Sequence, residues 1–436
     1  MKPLCCALYL LVFAVSLHGA ESTALDIKPD RASGVYRVGE TVTWTVSKTD
    51  QERTFPAKLS YAFKLGGVTE VETGSITLVE GKAMLTSEFT EPNTMLLEVS
   101  WEHAGETHRV FGGVVAAPEA LEPSVAAPDD FDEFWATKLA ELGTTPMNPR
   151  LTSMDVDEDG VEYWQITMDG FRGSQIHGQI ARPKNGPLKL PALLRVQWAG
   201  VYGLPPQWVS GRAKSGWLAL NILAHDLPID ESLEFYAEQK SGPLHDYFRQ
   251  GNEDRETSYF LRMYLSCYRA VEYLKSRPDW DGKTLVVTGT SQGGQQTFVT
   301  AGLHPDITAA MALVPAGADF NGNENGRSVG FPYWPGNLGD KNAAAVAATG
   351  GYYDIVNFAA RIRAPMLIGV GLEDLSCPPA GVFAAINQLQ SHHETVILPD
   401  SGHQNVDGSQ DAFVERLERG WLPGLRAGLE PPTARR

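Results

Sequence analysis

The chain has 436 residues, and its 53 acidic and 36 basic side chains give a net charge of −17. An acidic protein is repelled by nucleic acid and by anionic membrane surfaces, so neither is expected as a partner, whereas neutral molecules are compatible with it. A chain of this length buries a large core, and its four cysteines do not indicate a disulfide framework.

The N-terminus has the pattern of a signal peptide over residues 1–20. A basic start is followed by the apolar run Leu4–Leu17 and by the small residues Gly19 and Ala20. This run is too short to span a bilayer comfortably, so cleavage near Ala20 is expected, with no membrane insertion afterwards. The predicted location is extracellular or periplasmic. Two cysteines remain after cleavage, Cys267 and Cys377, and they can pair only if folding brings them together.

Residues 25–116 predict a small all-β domain. Runs such as Val42–Val46 and Leu59–Leu65 alternate apolar and polar residues, which is typical of half-buried antiparallel strands, and Gly66-Gly67 suits a hairpin. Further strands are predicted over Ser75–Val79, Met95–Trp101 and Arg109–Val115. We expect an immunoglobulin-like sandwich without its inter-sheet disulfide. A packing or spacer role and a carbohydrate-binding role both stay open.

Residues 117–127 form a Pro- and Ala-rich linker, and residues 128–424 predict an α/β domain, followed by a tail over 425–436. An amphipathic helix is expected to begin near Asp129 and Asp130. After a hairpin over Tyr163–Arg182, apolar strands recur near residues 191, 217, 285, 309, 365 and 394 with helical stretches between them. This alternation is typical of a doubly wound, mostly parallel sheet.

A sharp strand-to-helix turn is predicted at Gly289-Thr-Ser-Gln-Gly293, the nucleophile elbow of an α/β-hydrolase. The turn is so tight that glycine is needed two residues to either side of the nucleophile, here Ser291. An apolar strand precedes the motif, and a helix is expected to continue from Gln292 to Leu303, ended by the proline at 305. Ser291 is therefore the predicted nucleophile.

In this fold the acid follows the nucleophile in the chain and the histidine follows the acid. Asp374 comes just after the predicted buried strand Pro365–Gly371, and His403 lies in a loop after the strand Glu394–Pro399. His403 is predicted to take the Ser291 proton, and Asp374 to hold the imidazole in the correct tautomer.

The oxyanion hole needs backbone N–H groups aimed at the developing charge. The first donor is the residue after the nucleophile, Gln292. The second is expected after the apolar strand Pro191–Gly200, from Val201 or Tyr202, with Val201 slightly favoured. The choice stays open because a backbone donor places little demand on side-chain type.

The stretch Ala316–Gly351 is rich in glycine and asparagine and is predicted to overhang the site. Its Tyr333 and Trp334 are candidates for stacking on a sugar ring, with Trp198 a weaker one, although each is equally explained as a core aromatic. No metal site is predicted, because His392 and His393 are adjacent rather than spaced to face one ion. No nucleotide-binding glycine motif follows an early strand, so no cofactor is expected.

Four segments together resemble the acetyl xylan esterases and cephalosporin-C deacetylases, carbohydrate esterase family seven of the α/β-hydrolases. They are Pro128–Trp135 (PDDFDEFW), Val196–Trp198 (VQW), Gly289–Gly293 and Gly371–Pro379 (GLEDLSCPP). The resemblance covers residues 122–424, and it implies that Ser291, Asp374 and His403 form the triad. It also implies an oxyanion hole from Gln292 and the Val201 position. The family usually has tyrosine at that position, so Tyr202 is a possible shifted counterpart.

Two segments depart from the family pattern. Ala224–Pro228 stands where Arg-Gly-Gln is typical, and Gln404 replaces the glutamate that often follows the histidine. The leading hypothesis is a secreted serine esterase that deacetylates carbohydrate of the xylan type. A serine peptidase or another small-ester or lactone hydrolase is the alternative, followed by a non-catalytic glycan-binding protein. The sequence leaves the oligomeric state open.

Overall fold

The computed structural model describes residues 25–50 and 55–431, so the predicted signal peptide lies outside the described residues. Within them, an N-terminal β-sandwich is followed by a larger α/β domain. No helix in these two ranges is long and apolar enough to cross a membrane.

The sandwich consists of a three-stranded and a five-stranded sheet, ordered β1-β3-β6 and β2-β8-β7-β4-β5. Its strands are β1 Leu25–Pro29, β2 Val35–Tyr36, β3 Thr41–Lys48, β4 Leu59–Leu65, β5 Thr69–Ile76, β6 Lys82–Glu88, β7 Asn93–His103 and β8 Glu106–Ala116. Alternate residues of both sheets point inward and share one core, in which Trp44 and Phe63 have ring centroids 6.0 Å apart. The core contains no cysteine, as the sequence requires.

The α/β domain is built on a nine-stranded sheet, ordered β17-β16-β15-β14-β12-β13-β11-β10-β9. Its strands are β9 Arg150–Met154, β10 Val161–Asp169, β11 Gln175–Pro183, β12 Leu190–Val196, β13 Leu218–Ile222, β14 Trp280–Thr290, β15 Ala309–Leu313, β16 Met366–Gly371 and β17 His393–Leu398. The six strands from β13 to β17 in this order are parallel, and β11, β10 and β9 extend one edge in antiparallel fashion. This is the predicted α/β-hydrolase architecture, with a mostly parallel sheet.

Helices cover both faces of this sheet, which explains why its central strands are apolar on both sides. They are α1 Phe131–Gly143, α2 Gln207–Lys214, α3 Leu233–Ser241, α4 Tyr259–Ser276, α5 Gln292–Leu303, α6 Ala343–Tyr353, α7 Ile355–Ala359, α8 Pro379–Ile386, α9 Asp411–Glu415 and α10 Leu422–Arg426. A π-helical turn over Arg416–Trp421 joins the last two. One core lies on the side of α1, α4, α5 and α8, and a second lies under α2 and the C-terminal helices.

The predicted strand positions in the α/β domain agree with the structure, and α5 has the predicted bounds. Four details differ. The strand expected over Ser75–Val79 ends at Ile76, and β6 lies where no strand is predicted. Asp130 occupies the N-cap position of α1, but its carboxylate accepts hydrogen bonds from Arg255 and Tyr352 instead of capping the helix. Leu425, in the predicted tail, is buried in the domain core.

The connection over 117–127 is fastened to the α/β domain along its length. Ser124 donates through its amide and its hydroxyl to the Asp319 carboxylate, at 2.9 and 2.7 Å. The Asn387 side chain donates to the carbonyls of Pro118 and Leu121. The two domains are therefore joined by a fixed connection.

The sandwich also packs directly on the loop that follows β16. A Cβ atom placed on Gly113 of β8 would lie 2.2 Å from the carbonyl oxygen of Leu372, and one placed on Gly34 would lie 2.6 Å from the Leu372 side chain. Lys28 of β1 forms an ion pair with Asp400, with Nζ and Oδ1 2.8 Å apart. The backbone of β8 thus approaches this loop so closely that only glycine fits.

Replacing Gly113 with alanine should destabilise the protein by about 1–3 kcal/mol, because the added methyl group meets a backbone carbonyl that cannot rotate away. Chemical denaturation measures the loss. Gly143→Ala is the matched control, since its Cβ would have nothing within 4 Å. Equal stability of the two variants would show that the contact between the domains tolerates a side chain.

Candidate active site

The elbow at Ser291 has the geometry that its motif predicts. Ser291 joins β14 to α5 with φ 58° and ψ −123°, a conformation that most residues avoid. A Cβ atom on Gly289 would lie 2.4 Å from the Gly293 carbonyl group, and one on Gly293 would lie 2.8 Å from the Val196 carbonyl oxygen. Both motif glycines are therefore required by close backbone approach. Ser291 itself is 9% exposed.

Ser291, His403 and Asp374 form a continuous hydrogen-bonded array. The Ser291 hydroxyl donates to His403 Nε2 at 2.9 Å, and His403 Nδ1 donates to Asp374 Oδ2 at 2.8 Å. The Asp374 side chain is fully buried, and His403 is partly exposed. The structure thus brings together three residues that lie far apart in the chain, in the order in which the sequence placed them.

Asp374 is oriented by its own loop. Its Oδ1 atom accepts hydrogen bonds from the amides of Ser376 and Cys377, at 2.8 and 2.7 Å, which leaves Oδ2 for His403. Two prolines then follow, and α8 begins at Pro379. The segment Asp374–Pro379 therefore forms a turn that aims the carboxylate at the imidazole.

The loop that carries His403 is held by a residue that the sequence did not single out, Gln410. Its buried side-chain NH₂ group lies 3.3–3.4 Å from Ser401 Oγ and from the carbonyl oxygens of Gly402 and His403. Gln404, which departs from the family pattern, is exposed. Nothing in the sequence distinguishes Gln410 from a surface glutamine, because two of its three acceptors are backbone atoms, which any residue type supplies.

Three amides are candidates for the oxyanion hole. Gln292 occupies the first turn of α5, where N–H groups lack helical partners and the helix dipole favours negative charge. The described residues provide no acceptor for the amides of Val201 and Tyr202. The Tyr202 carbonyl accepts a hydrogen bond from Gln197, and its hydroxyl donates to the Trp198 carbonyl. This loop is therefore ordered next to the elbow.

The three aromatic candidates for substrate contact differ in exposure. Trp334 is 1% exposed, its indole N–H donates to the Phe248 carbonyl, and its ring packs against Phe260 and Phe320. The prediction that Trp334 stacks on a sugar is wrong, because its ring is part of the core. Tyr333 is half-buried, with its hydroxyl near Ser376 of the acid loop. Trp198 is 37% exposed.

Asp374, Cys377 and His403 are the one group of potential metal ligands found in the described part of the chain, with donor atoms within 4.8 Å of one another. Its chemistry does not suit a metal, because both ring nitrogens of His403 are already hydrogen-bonded within the array. Burial also raises the pKa of the Cys377 thiol well above its usual value, which disfavours the thiolate that binds metals. Cys267 and Cys377 are both free and buried.

Glu373, next to the acid, is half-buried against the sandwich. Burial raises the pKa of its carboxyl to about 8, and the nearby Asp400 adds to the shift, while Lys28 opposes it and Asp26 adds a further small increase. Lys28 is already paired with Asp400 and Asp26. The contact between the domains therefore includes a carboxyl group that favours the protonated form.

The sheet, the elbow and the hydrogen-bonded Ser-His-Asp array define the protein as an α/β-hydrolase. The family model for acetyl xylan esterase (AXE1) matches residues 119–419. The acetyl esterase Axe7A of Xylanibacter ruminicola is 31% identical over 401 residues, which cover 90% of this chain and 89% of that protein. The chain therefore belongs to the acetyl xylan esterase family, and it is a carboxylic ester hydrolase.

One solved structure agrees with this assignment, and a second shows the same fold. The acetyl xylan esterase from Paenibacillus sp. R4 is 27% identical and has a TM-score of 0.58, covering 69% of this chain and 98% of its own. Acetyl xylan esterase 1 from Thermoanaerobacterium sp. JW/SL YS485 shares the fold, with 23% identity, a TM-score of 0.56, and coverage of 68% of this chain and 96% of its own. The match to the X. ruminicola protein is longer than the α/β domain, so it extends into the sandwich.

Replacing Glu373 with glutamine should make stability less dependent on pH. The folded wild type holds a proton on Glu373 up to about pH 8, whereas the unfolded chain loses it near 4.5, so stability falls as pH rises through this window. Urea denaturation at pH 5 and pH 8 should show the variant gaining stability relative to the wild type at the higher pH. The exposed Glu119→Gln is the control, and an identical pH dependence in all three proteins would contradict the prediction.

Proposed function

We propose that the protein is an exported serine esterase that removes acetyl groups from acetylated carbohydrate of the xylan or xylo-oligosaccharide type. The observation that carries the proposal is the Asp374–His403–Ser291 array at a nucleophile elbow, in a member of the acetyl xylan esterase family. The names of its relatives, an acetyl esterase and acetyl xylan esterases, support the acetyl ester as substrate.

In the first half of the reaction, Ser291 Oγ attacks the acetyl carbonyl carbon while His403 Nε2 takes its proton. Asp374 stabilises the imidazolium that forms. The carbonyl oxygen becomes negatively charged and accepts hydrogen bonds from the Gln292 amide and from an amide of the Val201-Tyr202 loop. The C–O bond to the sugar then breaks, and His403 gives its proton to the departing sugar oxygen, which leaves as a hydroxyl group.

In the second half, a water molecule attacks the acetyl-enzyme while His403 Nε2 again accepts a proton. The tetrahedral intermediate uses the same amides, and its collapse returns the proton to Ser291 Oγ and releases acetate. Every proton transferred in the two halves of the reaction passes through His403 Nε2, and water is the one co-substrate.

Export and substrate contact complete the proposal. The signal-peptide pattern of residues 1–20 supports export. Protein recovered outside the cytoplasm should have the mass of a chain cleaved near Ala20, and mass spectrometry tests this. Trp198 supports sugar binding, because its ring is exposed three residues before Val201. Tyr333, half-buried beside the acid loop, is a second candidate contact.

Acetate release from acetylated xylo-oligosaccharides should fall on the order of 10³-fold or more in kcat when Ser291 is replaced by alanine, because the nucleophile is lost. Asp374→Asn should have an effect on the order of 10⁴-fold, since the carboxylate no longer selects the imidazole tautomer. Denaturation curves of both variants serve as controls for folding.

A simple acetyl ester assayed in parallel separates the parts of the proposal. Turnover of the simple ester alone would retain the triad and reject the carbohydrate substrate. Wild-type activity that survives in Ser291→Ala would reject the triad. Inactivity on both substrates would favour a peptidase or a glycan-binding protein.

Replacing Trp198 with alanine should raise the KM for acetylated xylo-oligosaccharides by about tenfold, because an exposed indole ring contributes roughly 1 kcal/mol or more by stacking. The KM for a small acetyl ester, which does not reach the ring, should stay unchanged. An equal effect on both substrates would indicate that Trp198 supports the oxyanion loop rather than the sugar.

A further inference from the structure

A buried polar cluster lies between the two loops that supply the oxyanion hole, and neither the triad nor the substrate contacts use it. It consists of His225, Tyr247 and Tyr259, which contact Gly200 on one side and the Gln292 side chain on the other. His225 lies in the segment that departs from the family pattern, and Tyr247 lies in the long connection between β13 and α4.

Tyr247 joins the two loops through one hydroxyl group. It donates to Gln292 Oε1 at 2.6 Å and accepts a hydrogen bond from the Gly200 amide at 3.3 Å. Tyr247 is 3% exposed, and Gln292 is fully buried. Because both partners are shielded from water, loss of this hydroxyl would leave the Gln292 carbonyl oxygen and the Gly200 amide unsatisfied.

His225 hydrogen-bonds the carbonyl group of Gly200, whose amide contacts Tyr247. Its Nε2 atom donates to the Gly200 carbonyl oxygen at 2.8 Å, and its Nδ1 atom accepts the Tyr259 hydroxyl proton at 2.7 Å. This pattern requires the neutral imidazole with its proton on Nε2. Burial lowers the pKa of His225 to about 4, so the ring is neutral at ordinary pH.

The Gly200 carbonyl and the Val201 amide belong to one planar peptide group, and in a trans peptide they point in opposite directions. A hydrogen bond that fixes the Gly200 carbonyl therefore fixes the direction of the Val201 N–H. Because Tyr247 also links Gly200 to the Gln292 side chain, Gln292 and the Gly200–Val201 peptide belong to one connected set of hydrogen bonds.

We propose that Tyr247 and His225 are positioning residues of the oxyanion hole, and that they set the Val201 N–H, rather than that of Tyr202, as the second donor beside Gln292. The inference rests on the proposed ester hydrolysis. Preorganised donors stabilise the transition state because no reorganisation is needed when the charge develops. A loosened cluster should thus weaken binding of the tetrahedral state more than binding of the ester.

Tyr247→Phe tests this with the full mature chain and a simple acetyl ester. Removing an oxyanion donor outright costs on the order of 10²–10³ in kcat, so loss of its support should cost about tenfold or more. Both kcat and kcat/KM should fall by this factor while KM stays unchanged. The affinity for a small boronic acid, which forms a tetrahedral adduct on the serine, should fall by a similar factor.

Tyr236→Phe is the matched control. Tyr236 lies in the same apolar cluster as Val201 and Tyr247 and is 4% exposed, but its hydroxyl donates to the Pro228 carbonyl and accepts from the Glu231 amide, and it hydrogen-bonds neither Gly200 nor Gln292. This variant should keep kcat and boronic acid affinity within about twofold of the wild type, although it too loses a buried hydrogen bond. Equal kinetic effects of the two substitutions would overturn the inference.

His225 provides an independent test if Tyr247→Phe fails to fold. His225→Gln retains an N–H that can reach the Gly200 carbonyl and should keep most of the activity, whereas His225→Leu should lose it with unchanged KM. Identical kcat values for these two variants would overturn the role of His225. An inactive wild type would instead overturn the proposed function, so the two failures are distinguishable.

Discussion

The geometry of the site depends on the backbone conformation of Ser291. With φ 58° and ψ −123°, the residue leaves β14 and enters α5 without an intervening loop, which projects the hydroxyl group above the sheet. This conformation requires the Gly293 backbone to pass within van der Waals contact of Gly289 and of the Val196 carbonyl. The same close approach places the first amide of α5 beside the end of β12, so nucleophile and oxyanion donors come together as a consequence of one tight turn. Strain of this kind persists only where the surrounding structure fixes the chain. Here the first ten residues of α5, which are buried, and the parallel strands on both sides of β14 do so.

The acid is supported from a different direction. The loop after β16 lies between the elbow and the sandwich, where Gly113 and Gly34 leave room for Leu372. In the stretch Ala316–Gly351, the Ser328 amide donates to the Gly66 carbonyl of the sandwich. The stretch Ala316–Gly351 closes the third side, because the Phe331 amide donates to the Ser376 carbonyl. The sandwich therefore forms part of the wall behind Asp374. The sequence left two roles open for the sandwich, packing and carbohydrate binding. This arrangement favours packing, because a domain tethered only to capture glycans would not need glycine-only contacts with the loop that carries Asp374.

Local signals made much of this predictable from sequence. The elbow, the helix ended at His304-Pro305 and the apolar strands are encoded by neighbouring residues. Their order along the chain predicted the fold and the loops that bring Asp374 and His403 to Ser291. Features made by distant residues were not predictable. Trp334 and Trp198 look alike in a sequence, yet one is enclosed by Phe260 and Phe320 and the other faces solvent. Gln410 donates to backbone carbonyls such as that of His403, and Tyr247 donates to a side chain 45 positions away. No spacing rule in the sequence identifies either pair.

The departure at His225 clarifies how the site stabilises negative charge. An arginine at this place would be permanently charged, and burying it beside Gly200 would require a carboxylate partner. His225 is neutral, as are Tyr247 and Tyr259, whose pKa values are raised mainly by burial. Arg262 lies outside this cluster, over the Tyr259 ring at 4.7 Å, and its positive charge further disfavours charge on His225. The groups that hold the oxyanion loop are therefore uncharged, so the stabilisation of an oxyanion falls to the N–H dipoles themselves. Dipoles act strongly only at short distance and in the right direction, and for that reason the rigidity of the Gly200–Val201 peptide matters more here than the charge of any side chain around it.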